Sequence, residues 1–162
     1  MDRMSKENYY LDIAQTVAGR ATCLRRHFGA IIVKNDVIIS TGYNGAPRGR
    51  KNCCDLGHCL REKMQIPRGE RYELCRAVHA EANAIIAASR EEMLDATLYL
   101  ACVDPNTGKC ISGTTSCAMC RRLIINAGIA RVVIRENEND YSVVSVHDWI
   151  INDDSMVQKF GY

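Results

Sequence analysis

The 162 residues suit a single domain, long enough to bury roughly two thirds of its unfolded surface without help from disulfides. A hydrophobic share of 47%, a charged share of 25% and a formal net charge of +2 are those of an ordinary globular protein, and the charge is too small to argue for a general nucleic-acid-binding surface, leaving room for a local basic pocket. No run of about 18 apolar residues exists to span a membrane, and the polar start Met1-Asp2-Arg3-Met4-Ser5-Lys6 lacks the core of a secretory signal. A cytoplasmic protein is therefore expected, in which nine cysteines serve as metal ligands and buried thiols rather than disulfides.

Tyr9, Ile13, Val17 and Ala21 recur at helical spacing, with Ser5 as N-cap and Glu7 in the first turn, and predict a first helix. Two β-rich runs follow, residues 29–33 and 37–41, separated by Lys34-Asn35-Asp36 as a hairpin turn. Between residues 42 and 77 the periodicity disappears and glycine, cysteine and basic residues cluster. A loop of that length in a compact domain is functional or carries its own staple. Cys53, Cys54, His58, Cys59 and Cys75, joined by Cys23 from the end of the first helix, are the candidates for such a metal staple.

A second helix is expected to begin near His79 and run through Ser89, followed by a short apolar strand over residues 97–102. After a connection containing Pro105, Gly108 and Gly113, a third helix starts at Cys117 and is closed by Ala127-Gly128, and residues 130–134 make the next strand. Strand, helix, strand at this spacing predicts a parallel crossover. The run Glu136-Asn137-Glu138-Asn139-Asp140 reads as a solvated acidic turn, and Trp149, Ile150 and Ile151 resume apolar spacing as a last helix.

The chemistry is concentrated in His79-Ala80-Glu81 and Ser116-Cys117-Ala118-Met119-Cys120. One imidazole and two thiolates make a three-ligand set for tetrahedral zinc that leaves the fourth position to water, the catalytic form of such a site. Glu81 is then a proton carrier rather than a ligand. Both segments open predicted helices, whose free N–H groups and positive dipole ends favour thiolates, and Cys117 and Cys120 lie one turn apart on the same face. A structural zinc clip or a thiol redox pair is the plainer alternative, but neither has a use for Glu81.

The pattern H-x-E with P-C-x-x-C resembles the cytidine and deoxycytidylate deaminase superfamily, with one departure: Ser116 stands where that family usually has proline. Serine is a favoured N-cap, so the turn presenting Cys117 is expected to survive. Thr41-Gly42-Tyr43-Asn44-Gly45-Ala46-Pro47, residues 75–85 and residues 121–129 are similar to deoxycytidylate (dCMP) deaminases, and close to their bacterial competence-operon-associated branch. The resemblance implies an α/β fold, a three-layer α/β/α cytidine-deaminase-like domain over residues 1–162 with a mixed sheet of about five strands. It implies conversion of dCMP to dUMP and ammonia, a homo-oligomer such as a hexamer or trimer of dimers, activation by dCTP with Mg²⁺, and inhibition by dTTP. Water activated by zinc would attack C4 of the cytosine, with Glu81 moving protons to N3 and to the departing amine.

Asn44, in a Gly-Tyr-Asn-Gly loop, would bond the sugar or ring as its counterpart in the family does, although Asn-Gly is also an ordinary turn signal. A dianionic 5′-phosphate calls for guanidinium, and Arg26 before the first strand is the leading candidate, with Arg25, Arg48, Arg50 and Lys51 in reserve. Tyr99 is a candidate to stack on the base, against an equal prospect that it is a core residue, and Arg90 resembles a position the family uses near the nucleotide. Phage-type members bind a structural zinc with residues matching Cys23 and Cys53. Their remaining ligands do not map here, so Cys59 and Cys75 are expected to complete the set, with His58 and Cys54 as alternates; plain buried thiols are the competing reading. Competing functions are a zinc deaminase of another base, such as free cytidine or tRNA adenosine, and a non-catalytic zinc-stabilised nucleotide sensor.

Overall fold

The computed structural model describes residues 1–153. Five strands form one mixed sheet in the order β2-β1-β3-β4-β5: β1 (His27–Lys34), β2 (Val37–Tyr43), β3 (Thr97–Val103), β4 (Arg131–Arg135) and β5 (Tyr141–Ser145). Only the β3/β4 pair is parallel; every other pair is antiparallel. Asn35 and Asp36 turn the β1-β2 hairpin with φ of 51° and 62°, the left-handed backbone that a tight hairpin needs and asparagine and aspartate tolerate.

Helix α1 (Lys6–Ala18) covers one face of the sheet, and α4 (Ala80–Ile86) and α6 (Ala118–Ala127) cover the other, giving three α/β/α layers. Ser5 caps α1 by accepting from Asn8 N at 3.2 Å, as its position before a periodic apolar run predicts. Short helices α2 (Cys53–Leu56), α3 (Leu60–Lys63), α5 (Arg90–Met93) and α7 (Val146–Ile151) fill the connections. The α1 face is sealed by Leu11, Ala14, Ile31, Val33, Tyr99, Ala101 and Val133; the larger cluster on the opposite face contains Ile32, Leu98, Leu100, Ile124 and Val132. Alternate residues of β3 thus belong to opposite layers, as the two-residue period of a strand requires.

Strand β2 is clasped to α4, the helix that presents half of the metal set. Ser40 Oγ donates to Ala84 O at 2.7 Å, and Asn83 Nδ2 donates to Tyr43 O at 2.8 Å. Between them sits Gly42, where a Cβ would fall 2.3 Å from Ala80 O and 2.4 Å from Ala84 N. Only glycine lets the two backbones approach this closely.

Two details differ from the sequence expectation. The second helix ends at Ile86, and Ser89 caps α5 instead of continuing α4: its hydroxyl accepts from Glu92 N while the Glu92 side chain returns to Ser89 N. Strand β5, which no apolar run announces, is an edge strand whose Tyr141, Val143 and Ser145 are exposed. Among the described residues no helix is long and apolar enough to cross a membrane.

Candidate active site

His79 is the N-cap residue of α4 and Cys117 that of α6, so both lie where helix N–H groups are free. The layer that packs both helices on one face of the sheet brings these two starts together. His79 Nδ1 lies 3.4 Å from Cys117 Sγ and 3.5 Å from Cys120 Sγ, and ligand atoms of the three residues all fall within 4.8 Å of one another. Among the described residues this is the only such convergence of metal-ligating side chains.

The protonation of the trio suits a cation. Cys117 is pulled down to about 4, first by the hydrogen bond from Cys120 and against the cost of burial, while its bond with His79 helps. Burial disfavours the His79 imidazolium, but bonds to Cys117 and Cys75 overcome it and raise the ring to about 10. Cys120, bonded to Cys117 and buried, is pushed up. Two thiols and an imidazole sharing protons and negative charge in a half-buried pocket are a donor set that a divalent metal would neutralise by displacing those protons. Glu81, on the first turn of α4, is 4% exposed, and burial raises its carboxyl above the ordinary range while the His79 charge opposes that rise.

His79, Glu81 and Cys117 line a cavity of about 830 Å³, ample for a nucleotide, with Cys120 buried behind them. Arg26, Arg68, Tyr72, Cys75 and Trp149 are among the other residues lining it. Asn44 also lines it, although its amide is engaged in holding the loop: Oδ1 accepts from Phe28 N at 2.8 Å and Nδ2 donates to Arg26 O at 2.9 Å. That pair of bonds fixes the backbone around Arg26, which also lines the cavity. Arg25 reaches the cavity but is paired with Glu62 at 3.0 Å.

Two expected contacts are corrected. Tyr99 is buried on the α1 side of the sheet, its ring 5.1 Å from that of Tyr10, because its neighbours Leu98 and Leu100 occupy the strand positions that face α4 and α6. Arg90 does not line the cavity: as the first residue of α5 it donates from Nε to Asn126 O at 3.0 Å, near the C-terminal end of α6, roughly 13 Å along that helix from Cys117. The aromatic residue that reaches the metal set is Tyr72, whose ring meets that of His79 edge to face at 5.2 Å and 84°. Arg61, 4% exposed, stacks over Tyr72 at 4.4 Å and donates to Pro67 O at 3.1 Å and Glu70 O at 2.6 Å. Both lie in the stretch without periodicity, where nothing in the sequence separates a wall-building arginine from a solvated one.

The four cysteines expected to hold a second metal are neighbours, but they do not converge as the first set does. Cys23 is raised by burial and further by Cys75 and Cys59; Cys53 is raised by burial and by Cys23. Of the alternates, His58 bonds Leu56 O at 3.0 Å and Cys54 is exposed.

Residues 4–136 match the family model of the cytidine and deoxycytidylate deaminase zinc-binding region. The chain belongs to this family. A deoxycytidylate deaminase of Mycobacterium phage D29 is 36% identical over 82% of the chain and 96% of its own length. The deoxycytidylate deaminase of Schizosaccharomyces pombe is 33% identical over 85% of the chain, which spans 39% of that protein. ComE operon protein 2 of Bacillus subtilis is 33% identical over 85% of the chain and 62% of its own length. A crystal structure of the dCMP deaminase of cyanophage S-TIM5, in complex with dCMP and dUMP, superposes with a TM-score of 0.57 at 26% identity, covering 83% of this chain and 85% of that one.

Proposed function

We propose that the chain is a zinc-dependent hydrolase that converts dCMP and water to dUMP and ammonia. The observation that carries this reading is the convergence of His79, Cys117 and Cys120, with His79, Cys117 and Glu81 lining a nucleotide-sized cavity that arginines also line. The phage relative matched over nearly its whole length and the cyanophage structure supply the substrate class.

Zinc held by His79, Cys117 and Cys120 would supply the acidity that makes water a nucleophile at neutral pH. Glu81 would take the proton from that water, place it on N3 of the cytosine, and deliver a second proton to the leaving amine. A carboxyl raised by burial holds a proton more readily than a free one, which suits a group that both takes and gives one. Arg26 would hold the 5′-phosphate, and Asn44 the nucleoside through the loop that it fixes. Regulation by dCTP with Mg²⁺ and by dTTP, in a homo-oligomer such as a hexamer, belongs to the same reading. Ile86 is 73% exposed, and Leu123, Ile150 and Ile151 are exposed on helices of the same layer, an apolar surface suited to a second copy.

The same proposal extends to a structural zinc on Cys23, Cys53, Cys59 and Cys75. It is supported by two N–H···S bonds of the kind that stabilise metal thiolates: Cys23 Sγ accepts from Arg25 N at 3.4 Å, and Cys75 accepts from the backbone of Ala77. The cytosol, where thiols stay reduced, suits both sets. About two zinc ions per chain are expected, and one would remove the second site.

Ammonia release from dCMP and from cytidine, with and without dCTP and Mg²⁺, tests the function. Turnover of dCMP at least about tenfold more efficient than that of cytidine is expected, the value of one charge-assisted phosphate contact. Equal or better turnover of cytidine would contradict it.

A further inference from the structure

We propose that Ser116 is a substrate-positioning residue, its hydroxyl bridging Glu81 and the exocyclic amine of the base. The assignment rests on the deaminase reading above. Ser116 is 1% exposed yet lines the cavity beside His79, Glu81 and Cys117. Its Oγ makes no hydrogen bond of full geometry among the described residues, and neither does Thr114 Oγ1, two residues earlier on the same wall. Buried hydroxyls are nearly always partnered, so two without partners on one wall mark the place where a ligand completes them.

The ordinary uses of this serine are already closed. The N-cap of α6 is Cys117, and the Ser116 hydroxyl bonds no backbone N–H, so it does not serve as the helix cap. The Ser116 carbonyl is taken by Arg121, whose Nε donates to it at 3.0 Å. What the hydroxyl does face is the Glu81 carboxyl, which lies within its reach and lines the same cavity. A hydroxyl offers one donor and two acceptor lone pairs. Once Oγ–H turns to the Glu81 carboxylate, the lone pairs are left to accept from a ligand N–H. The exocyclic amine of cytosine carries two such hydrogens beside C4, the carbon that reacts. The proline usual at this position could make neither bond. Ser116 keeps its proton throughout; it orients the carboxylate and the amine between which protons pass.

The test is steady-state turnover of dCMP by the zinc-loaded parent, Ser116→Ala and Ser116→Thr, with zinc measured on each preparation. Alanine is expected to keep the zinc and leave KM within about twofold while lowering kcat about tenfold, the loss of one hydrogen bond to a charged group. Threonine, which retains the hydroxyl, is expected to recover most of that loss. If alanine sheds zinc, Ser116→Cys, close to serine in shape but a weak acceptor, carries the same expectation. An active parent with an alanine variant of unchanged kcat overturns the Ser116 assignment alone, as do alanine and threonine variants impaired equally. A parent inactive on dCMP overturns the nucleotide reading and the assignment with it.

Discussion

One part of the cavity wall is His79, Glu81 and Cys117 at the starts of α4 and α6, with Cys120 buried behind them; another is Arg61 and Tyr72, from a stretch of one-turn helices and turns. The first wall is held by regular structure. Its residues lie at the N-caps and first turns of two helices, which are locked to the sheet by packed side chains and by the close approach at Gly42. The second is held by side chains bonding to backbone: Asn44 to Phe28 and Arg26, Asn52 Oδ1 accepting from Ala46 N at 3.3 Å, Arg76 Nε donating to Lys51 O at 2.7 Å, and Arg61 to two carbonyls. Loss of a metal ligand from the first wall should therefore abolish the metal and the chemistry, whereas loss of Arg61 or Tyr72 from the second should loosen substrate binding and stability while the metal stays.

The largest effect is expected from His79→Ala, which removes one of three ligands and leaves an ordinary α4 N-terminus. Metal analysis after dialysis should show loss of the catalytic zinc, with no measurable turnover and a far-ultraviolet circular dichroism spectrum like that of the parent. In the second wall, Arg61→Met should retain zinc and raise KM more than it lowers kcat. Loss of the guanidinium leaves the Pro67 and Glu70 carbonyls without their buried donor and should cost about 1.5–3 kcal/mol in a denaturation experiment. A kcat loss with unchanged KM would mean that the two walls are not separable in this way.

Gly42→Ala lies behind the first wall. Its methyl group would meet Ala80 O at 2.3 Å, so α4 must shift, at about 1–3 kcal/mol, and turnover should fall with stability because His79 and Glu81 move with the helix. The smallest effect should come from the α1 side, remote from both walls. There Tyr10 donates to Asp36 at 2.6 Å and is raised to about 12, first by that bond and then by burial. Asp36 is lowered, first by Lys6 and then by Tyr10. Because the Tyr10 shift is upward, its contribution is complete below pH 10 and is lost as pH rises from 10 to about 12. The Asp36 shift is downward, so its contribution is present above pH 3.8 and is lost as pH falls through the lowered value. Tyr10→Phe should flatten the alkaline limb of a stability–pH curve and part of the acid limb, with turnover at neutral pH unchanged.

The same division decides what the sequence reveals. The metal trio, Glu81, the Ser5 cap and the β1-β2 turn are legible because helix starts, capping residues and tight turns carry fixed residue spacings. Tyr99 is misplaced because one position along a strand reverses the face, and the apolar run of β3 gives no sign of which face meets the active site. Arg90 is misplaced because Ser89, read as a continuation of α4, instead caps a new helix. Arg61 and Tyr72 reach the cavity through long-range side-chain-to-backbone bonds that leave no periodic trace. Ser116 stands out in the sequence only as a departure from the usual proline; burial, the occupied carbonyl and the unpartnered hydroxyl give it a chemical use.

The central claim is that the first wall separates holding the metal from moving the proton: His79, Cys117 and Cys120 do the first and Glu81 the second. Zinc content and dCMP turnover measured on the same preparations of the parent and Glu81→Gln test it directly. Equal zinc with turnover reduced by about 10²–10⁴ is expected from loss of a general acid–base group. Turnover retained with equal zinc, or loss of zinc in proportion to activity, would contradict it.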